Sequence, residues 1–361
     1  MSDPFENLKE PNVTRLYCIL HYDIKTIVSL MIDKPKDIGF GWDLNKRRAK
    51  EYVYTCPLVK GMIPNTVAIS TTQNGNSSTC VPVIVPKKPD IQRDFCTCAQ
   101  PAYGLRLDPN RLIEWMEVQK ILGVSLIAIY VLSASDSALD VFKHYAAEGF
   151  VELREMSYIY SSVNDPEKEF LLHQTPAIND CIYRHMYEFR RIAVIDFDEI
   201  IMPRYQQNLS ELVTLLDGNE VDKRSMNIHY AFRNNYFFLD LPPDDRISPY
   251  LTLLRFRRKV QISPEGYSVK SIIDPQVCTH MHCHYCWGNT ANYSAYGTAS
   301  VDPEIALNQH YKNCHFSRDE CDTILRNSTQ DDVMLRLKDI LTRNVRDKVK
   351  IITGNQSLEF N

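Results

Sequence analysis

Residues 191–203 read RIAVIDFDEIIMP, an apolar strand that runs straight into three carboxylates. Val194 and Ile195 have core character, Asp196, Asp198 and Glu199 follow, and Ile200, Ile201 and Met202 return to apolar. An unpaired carboxylate beside a core is unfavourable, so something must be supplied to satisfy this stretch. In an extended strand residues i and i+2 project to one side, which would set Asp196 and Asp198 together with Phe197 opposite. Two carboxylates that close raise one another's pKa unless a cation stands between them. A hard divalent ion such as Mn²⁺ or Mg²⁺, held by oxygen ligands, meets that need. Such an ion would also bridge the phosphates of a nucleotide diphosphate and stabilise the charge that grows as a bond breaks. The same triplet also suits a helix cap or a solvated turn, because Asp-x-Asp alone is a weak signal.

Working outward, the pattern before this strand alternates strand and helix. DFCTCAQPAYG (94–104) reads as a strand and turn. Asp108-Pro109 is a helix start, an acceptor side chain followed by proline at the first helical position, and the helix NRLIEWMEVQKIL stops at Gly123. VSLIAIYVL (124–132) is a continuous apolar run of the kind buried on both faces of a parallel sheet. SDSALDVFKHYAAEG gives a second helix closed by Gly149, FVELREM a strand, and TPAINDCIYRHMYEFR a third helix. This order predicts an α/β fold, an open sheet with flanking helices, and ligands in such sheets bind beyond the carboxyl ends of the strands. Further on, NIHYAFRNNYFFLD and LTLLRFRRKVQI read as strands and DDVMLRLKDILTRN (331–344) as an amphipathic helix. Before residue 92 the chain is a β-rich N-terminal lobe of short strand-like pieces ending at PKKPD (86–90). The expected organisation is a lobe over 1–92, a catalytic domain over 93–320 and a helical extension over 321–361.

The composition is globular, and a net charge of −4 argues against a dedicated nucleic-acid binder. No apolar run approaches the ~20 residues that span a bilayer. The 11 cysteines allow either disulfides in an oxidising compartment or a metal site in a reducing one. Asn12, Asn76, Asn208, Asn292, Asn327 and Asn355 each open an N-x-S/T triplet, against roughly two or three expected by chance. Both features favour a secretory-pathway lumen, with any membrane anchor lying outside this chain.

At AQPAYG, HQTPAINDCIYRHMYEFRRIAVIDFDEIIMP, VKSIIDPQV and NQHYKNC the chain resembles glycosyltransferase family 92 over about residues 94–315. The resemblance implies a GT-A-type nucleotide-binding sheet and an inverting, metal-dependent transfer of a hexose to a glycan acceptor. It points to galactose from UDP-galactose as the donor sugar and N-glycan core fucose as an acceptor, in the Golgi lumen. Asp196 and Asp198 would be the metal- and nucleotide-binding pair, with Mn²⁺ (or Mg²⁺), and Glu199 their neighbour. Gln174, Asn179 and Asp180 would line the donor-sugar side, and Tyr103 would stack on the base. Lys270 and the His310-Tyr311 pair would contact the diphosphate. The family pattern has an arginine after that His-Tyr; Lys312 stands here, keeping the charge and losing the bidentate fork. A carboxylate base is required and none is singled out.

In many enzymes of that fold a late histidine completes the metal shell, a role that falls here to CTHMHCHYCW (278–287), with His282 favoured among His280, His282 and His284. The residues themselves leave two other readings: structural histidines, or an independent zinc site, although Cys-x₄-Cys-x₂-Cys matches no standard finger. Two rival functions stay open with them, a secreted glycan- or protein-binding module and an intracellular zinc protein.

Overall fold

The computed structural model describes residues 16–23, 25–31, 36–37, 52–73, 80–104, 107–157, 166–218, 229–290 and 297–354. Asn12, Asn76, Asn292 and Asn355 lie outside them. The chain divides into two compact units, Met1–Pro86 and Lys87–Asn361. In the first, β1 (Tyr17–Tyr22), β2 (Lys25–Leu30), β5 (Thr66–Ser70) and β6 (Val81–Pro82) form an antiparallel sheet ordered β2-β1-β5-β6. Two short strands, β3 (Lys36–Asp37) and β4 (Tyr52–Val53), pair separately. Cys18, Leu20, Tyr22 and Met31 make its small core, and a disulfide joins Cys18 to Cys56.

The second unit is built as the alternation predicts: β7 (Arg93–Ala99), α1 (Pro109–Ile121), β8 (Val124–Val131), α2 (Asp136–Ala147), β9 (Val151–Glu155), α3 (Pro166–His185) and β10 (Phe189–Ile195). Asp108 caps α1, its carboxylate accepting the Asn110 amide, and Ser135 caps α2 in the same way. Gly123 and Gly149 end these helices' turns at φ 89° and 73°, where a side chain would be strained. Trp115 and Tyr145 face inward from the two helices into one large core.

The chain then lays β11 (Glu199–Pro203), α4 (Leu209–Gly218), β12 (His229–Phe232), β13 (Asn234–Phe238), α5 (Thr252–Arg255), β14 (Arg258–Lys259) and β15 (Lys270–Ile273). It continues with β16 (Cys278–Met281), β17 (Cys286–Asn289), β18 (Thr298–Val301), β19 (Ala306–Lys312), α6 (Arg318–Arg326), β20 (Thr329–Gln330) and α7 (Lys338–Thr353). The main sheet is ordered β18-β12-β15-β10-β7-β8-β9, parallel from β10 to β9, with β15 antiparallel to both of its neighbours. A second sheet, β11-β19-β13, leaves the end of β10. The protein is therefore a mixed α/β fold with a central open sheet and flanking helices.

Three readings change. NIHYAFRNNYFFLD divides at Arg233 into strands of two different sheets. LTLLRFRRKVQI is a short helix followed by a two-residue strand, and its basic run is a seam of ion pairs: Arg257 with Asp244 and Asp332, Lys259 with Asp331 at 2.6 Å. Acceptors contributed from residues 244 and 331–332 explain why charges at that density are not simply solvated. The helix after residue 331 opens with a tighter 3₁₀ turn, Val333–Leu337. Leu341, Val345 and Val349 of α7 then join the same core as the sheet.

Candidate active site

β10 is hydrogen-bonded on both sides, by β7 and β15, and is buried from Ile192 to Ile195. Its carboxyl end is a tight turn: the Glu199 amide donates to the Asp196 carbonyl at 3.1 Å before the chain enters β11. The carboxylates thus sit on a turn between two sheets, not on an extended strand. The alternation survives because Phe197 packs inward against Trp115 and Phe142, ring centroids 5.3 and 5.7 Å away. Asp196 and Asp198 turn away from that core with side chains 20% and 33% exposed, so both remain reachable.

Their surroundings form one network around Glu199, whose side chain is 1% exposed. Lys270, the first residue of β15, lies just beyond the Val194–Ser271 pair, at the end of β10. Its Nζ is 2.9 Å from Asp196 Oδ1 and 3.1 Å from Glu199 Oε2. His310, which β19 sets directly opposite Glu199, reaches Asp198 Oδ2 with Nε2 at 3.3 Å and Glu199 Oε1 with Nδ1 at 3.1 Å. Asn308, two residues earlier on the same strand face, donates to Glu199 Oε1, and the Asp196 amide donates to Oε2, each at 3.1 Å. A buried carboxylate is tolerable when it is hydrogen-bonded this fully.

The charges follow from the contacts. Burial pushes Asp196 up, with Glu199 and Asp198 adding to it and Lys270 opposing. Burial would also raise Asp198, but His310 overrides it and holds the group at about 2, with Lys312 and Arg111 assisting. Burial opposes charge on His310, yet Asp198 and Glu199 raise it above the ordinary imidazole value. Three carboxylates thus share one ammonium and one imidazole in direct contact, with Lys312 and Arg111 acting on Asp198 from beyond them. Two reachable carboxylates, one of them faced by an imidazole, form an oxygen-and-nitrogen donor set that suits Mn²⁺.

The remaining predicted residues are distributed unevenly around this centre. Lys270, expected at the diphosphate, is buried and pairs with Asp196 and Glu199. Tyr311 alternates away from His310: its ring stacks on Phe237 at 4.9 Å and its hydroxyl donates to Gln309 at 2.9 Å, inside the core. Only its amide meets the site, donating to the Asp198 carbonyl at 2.8 Å. Asn179 is buried and clamps both the carbonyl and the amide of Met281, at 2.7 and 2.8 Å. Asp180 pairs with Arg184 and accepts from the Tyr130 hydroxyl, both at 2.6 Å. Gln174 is buried in α3, and Tyr103 is half-buried in the turn after β7. His282 stacks on Trp287 at 4.5 Å in the β16–β17 hairpin, 5.5 Å from His284. The imidazole that meets Asp198 is His310, which sequence reading had assigned to the diphosphate. The missing signal was the β11–β19 pairing, although the alternation of Asn308 and His310 hints at a shared face.

Disulfides join Cys98 to Cys181, Cys278 to Cys286 and Cys314 to Cys321. The second takes up two of the three cysteines that CTHMHCHYCW, with its three histidines, offers an independent zinc site, and a disulfide sulfur is no thiolate ligand. A cavity of about 450 Å³ opens near the opposite, amino end of β7 and β10, lined by Asp94, Arg190, Ser210 and Asp217 among others.

Residues 93–349 match the sequence pattern of Glycosyltransferase family 92. Among similar proteins, glycosyltransferase family 92 protein C33H5.2 of Caenorhabditis elegans is 22% identical over 274 residues, covering 73% of this chain and 50% of that protein. Family 92 protein F13G3.3 of the same organism is 26% identical over 118 residues, covering 31% of this chain and 23% of that protein. The chain thus spans half or less of the relatives it matches. Solved structures that resemble it include S. aureus TarS 1-349 in complex with UDP-GlcNAc, at TM-score 0.31 and 10% identity, covering 74% of this chain and 68% of that one. Another is the mannosyltransferase PcManGT from Pyrobaculum calidifontis in complex with GDP-Man and Mn²⁺, at TM-score 0.33 and 9% identity, covering 77% and 80%.

Proposed function

This chain belongs to glycosyltransferase family 92, and we propose that it transfers a hexose from a nucleotide diphosphate sugar to a glycan hydroxyl at the Asp196–Asp198–His310 centre. The observation that carries this reading is the convergence of Asp196, Asp198 and Glu199 at the end of a central strand, with Asp198 reachable and faced by an imidazole. Asp198, Asp196 through the oxygen not given to Lys270, and His310 would hold a divalent ion, Mn²⁺ or Mg²⁺. When bound, that ion supplies positive charge to the departing diphosphate.

The chain's own residues do the rest. Glu199 fixes the orientation of both cations and, through the Asp196 amide, the turn itself. Lys270 offsets part of the carboxylate charge, so a single divalent ion suffices. Lys312 and Arg111 lie close enough to act on Asp198 and add positive potential on the side where phosphate charge would accumulate. The family resemblance favours UDP-galactose as donor, N-glycan core fucose as acceptor and inversion at the anomeric carbon. Four disulfides fit the lumen of the secretory pathway.

The test is isothermal titration of UDP with and without Mn²⁺, beside a hydrolysis screen of UDP-sugars. Wild type should bind UDP only with the metal, and Asp198→Ala should lose that binding by about a hundredfold or more. Metal-independent binding, or binding retained by D198A, overturns the proposal.

A further inference from the structure

Trp287 is a large apolar side chain left 47% exposed on the β16–β17 hairpin. It is also held still. Its ring lies parallel to that of His282, at 4.5 Å and 13°, so one face is covered by the imidazole and the exposure belongs to the rest. The Cys278–Cys286 disulfide closes the hairpin beneath it. At Gly288 a Cβ would run into the His280 imidazole, so any larger residue would force that side chain to move. Asn179 grips Met281 from α3, Tyr183 donates to the Thr279 carbonyl, and Tyr285 donates to the Gly266 carbonyl. A short surface hairpin does not require this many restraints merely to fold.

Its placement says what the restraints are for. The hairpin tip is tied to both neighbours of Lys270: the Ser271 hydroxyl donates to the His284 carbonyl at 2.5 Å, and His284 Nδ1 meets the Val269 carbonyl at 2.8 Å. Between these ties Lys270 holds Asp196. Cys283, buried beside His282 with Sγ 3.5 Å from Nδ1, lies close enough to be influenced by Lys270, Asp196 and Glu199. The hairpin tip is thus packed against the strand that carries Lys270, beside the carboxylate site, with Cys283 buried in it and Trp287 exposed on it.

Resting on the reading above, we propose that Trp287, backed by His282, is the platform on which a sugar ring of the glycan acceptor stacks. The C–H groups on one face of a pyranose are weakly positive and pack on the electron-rich face of an indole, which offers large area at little entropic loss. The donor's diphosphate belongs at the carboxylates; Trp287 is linked to them only through His282 and, beyond it, the buried Cys283, so an exposed indole at that remove suits the acceptor. His282 then works by orienting the indole.

The experiment uses the whole chain, as wild type, Trp287→Ala and Trp287→Phe, with disulfide mapping and thermal melting to show that each has folded. Each is titrated with UDP and Mn²⁺, then applied with both to an array of immobilised N-glycans with and without core fucose. W287A should bind UDP–Mn²⁺ as wild type does, while glycan binding falls about tenfold or more and W287F recovers most of it. Unchanged glycan binding by W287A overturns the platform, as does a wild type that binds UDP–Mn²⁺ but no glycan on the array. Loss of UDP–Mn²⁺ binding in W287A would place the indole on the donor and overturns it too. Failure of wild type to bind UDP–Mn²⁺ would instead sink the underlying transferase reading, and the two failures are told apart in the first titration.

Discussion

His310 sets its Nε2 3.3 Å from Asp198 Oδ2, across the junction of two sheets. Because β19 pairs Glu199 with His310 in register, the contact is fixed by backbone hydrogen bonds and does not depend on a loop. If this imidazole completes the metal site, His310→Ala should weaken Mn²⁺ binding by about tenfold or more, the scale on which losing groups that position or ligate a metal is felt. His282→Ala should change it little. Free Mn²⁺ measured by electron paramagnetic resonance distinguishes them, and the reverse ranking would return the metal to the hairpin.

Lys270 is the buried cation that offsets Asp196 and Glu199. Lys270→Met leaves two carboxylates without it, and breaking one side of a buried pair is worth about 3–5 kcal/mol of stability. Denaturant unfolding should show that loss. Mn²⁺ should raise the melting temperature of K270M more than that of wild type, since the ion takes up charge the ammonium no longer does. Equal shifts in the two proteins would separate Lys270 from the metal site.

Glu114 is fully buried in α1, with the Leu253 amide donating to both of its oxygens at 3.0 and 3.1 Å. Burial nevertheless pushes it from 4.5 up to about 8. The folded chain therefore holds this proton more tightly than the unfolded chain. The stability it contributes is complete below the unfolded value and is lost as pH rises through the folded one. Glu114→Gln should abolish that loss, so its urea midpoint should improve relative to wild type from pH 5 to pH 8. Parallel pH profiles would show that Glu114 titrates normally.

The Cys98–Cys181 disulfide ties β7 to α3 across a sequence separation of 83, whereas Cys314–Cys321 spans 7. Replacing the first pair by alanine should remove about 2–5 kcal/mol and replacing the second less, because the longer loop restricts the unfolded chain more. Equilibrium unfolding of both double variants tests the order.

The alternation of β7 through β10 was legible because each element carries its own punctuation: Asp108-Pro109 and Ser135 at helix starts, Gly123 and Gly149 at helix ends, and a doubly buried apolar run at 124–131. The Asp-Phe-Asp face was legible for a similar local reason, since Phe197 belongs to the core whichever backbone shape carries it. The partners of those carboxylates were not. Lys270 and His310 arrive from strands 74 and 112 positions beyond Asp196 and Asp198 (270 − 196 and 310 − 198), and no local pattern encodes which strand pairs with which. NIHYAFRNNYFFLD shows the same limit, being one apolar run that belongs to two sheets. The ion-pair partners of RFRRK were hidden for the same reason, since its acidic residues lie elsewhere in the chain.

Cys98 sits one residue before the end of β7, beside β10, so its bond to α3 braces the very edge from which Asp196 departs. A bacterial cytoplasm would deliver this edge unbraced, together with the hairpin that bears Trp287. Material made there could keep its helices and still lose its ligands, and an inactive preparation from such a host would say more about the glutathione around it than about the chemistry the chain performs.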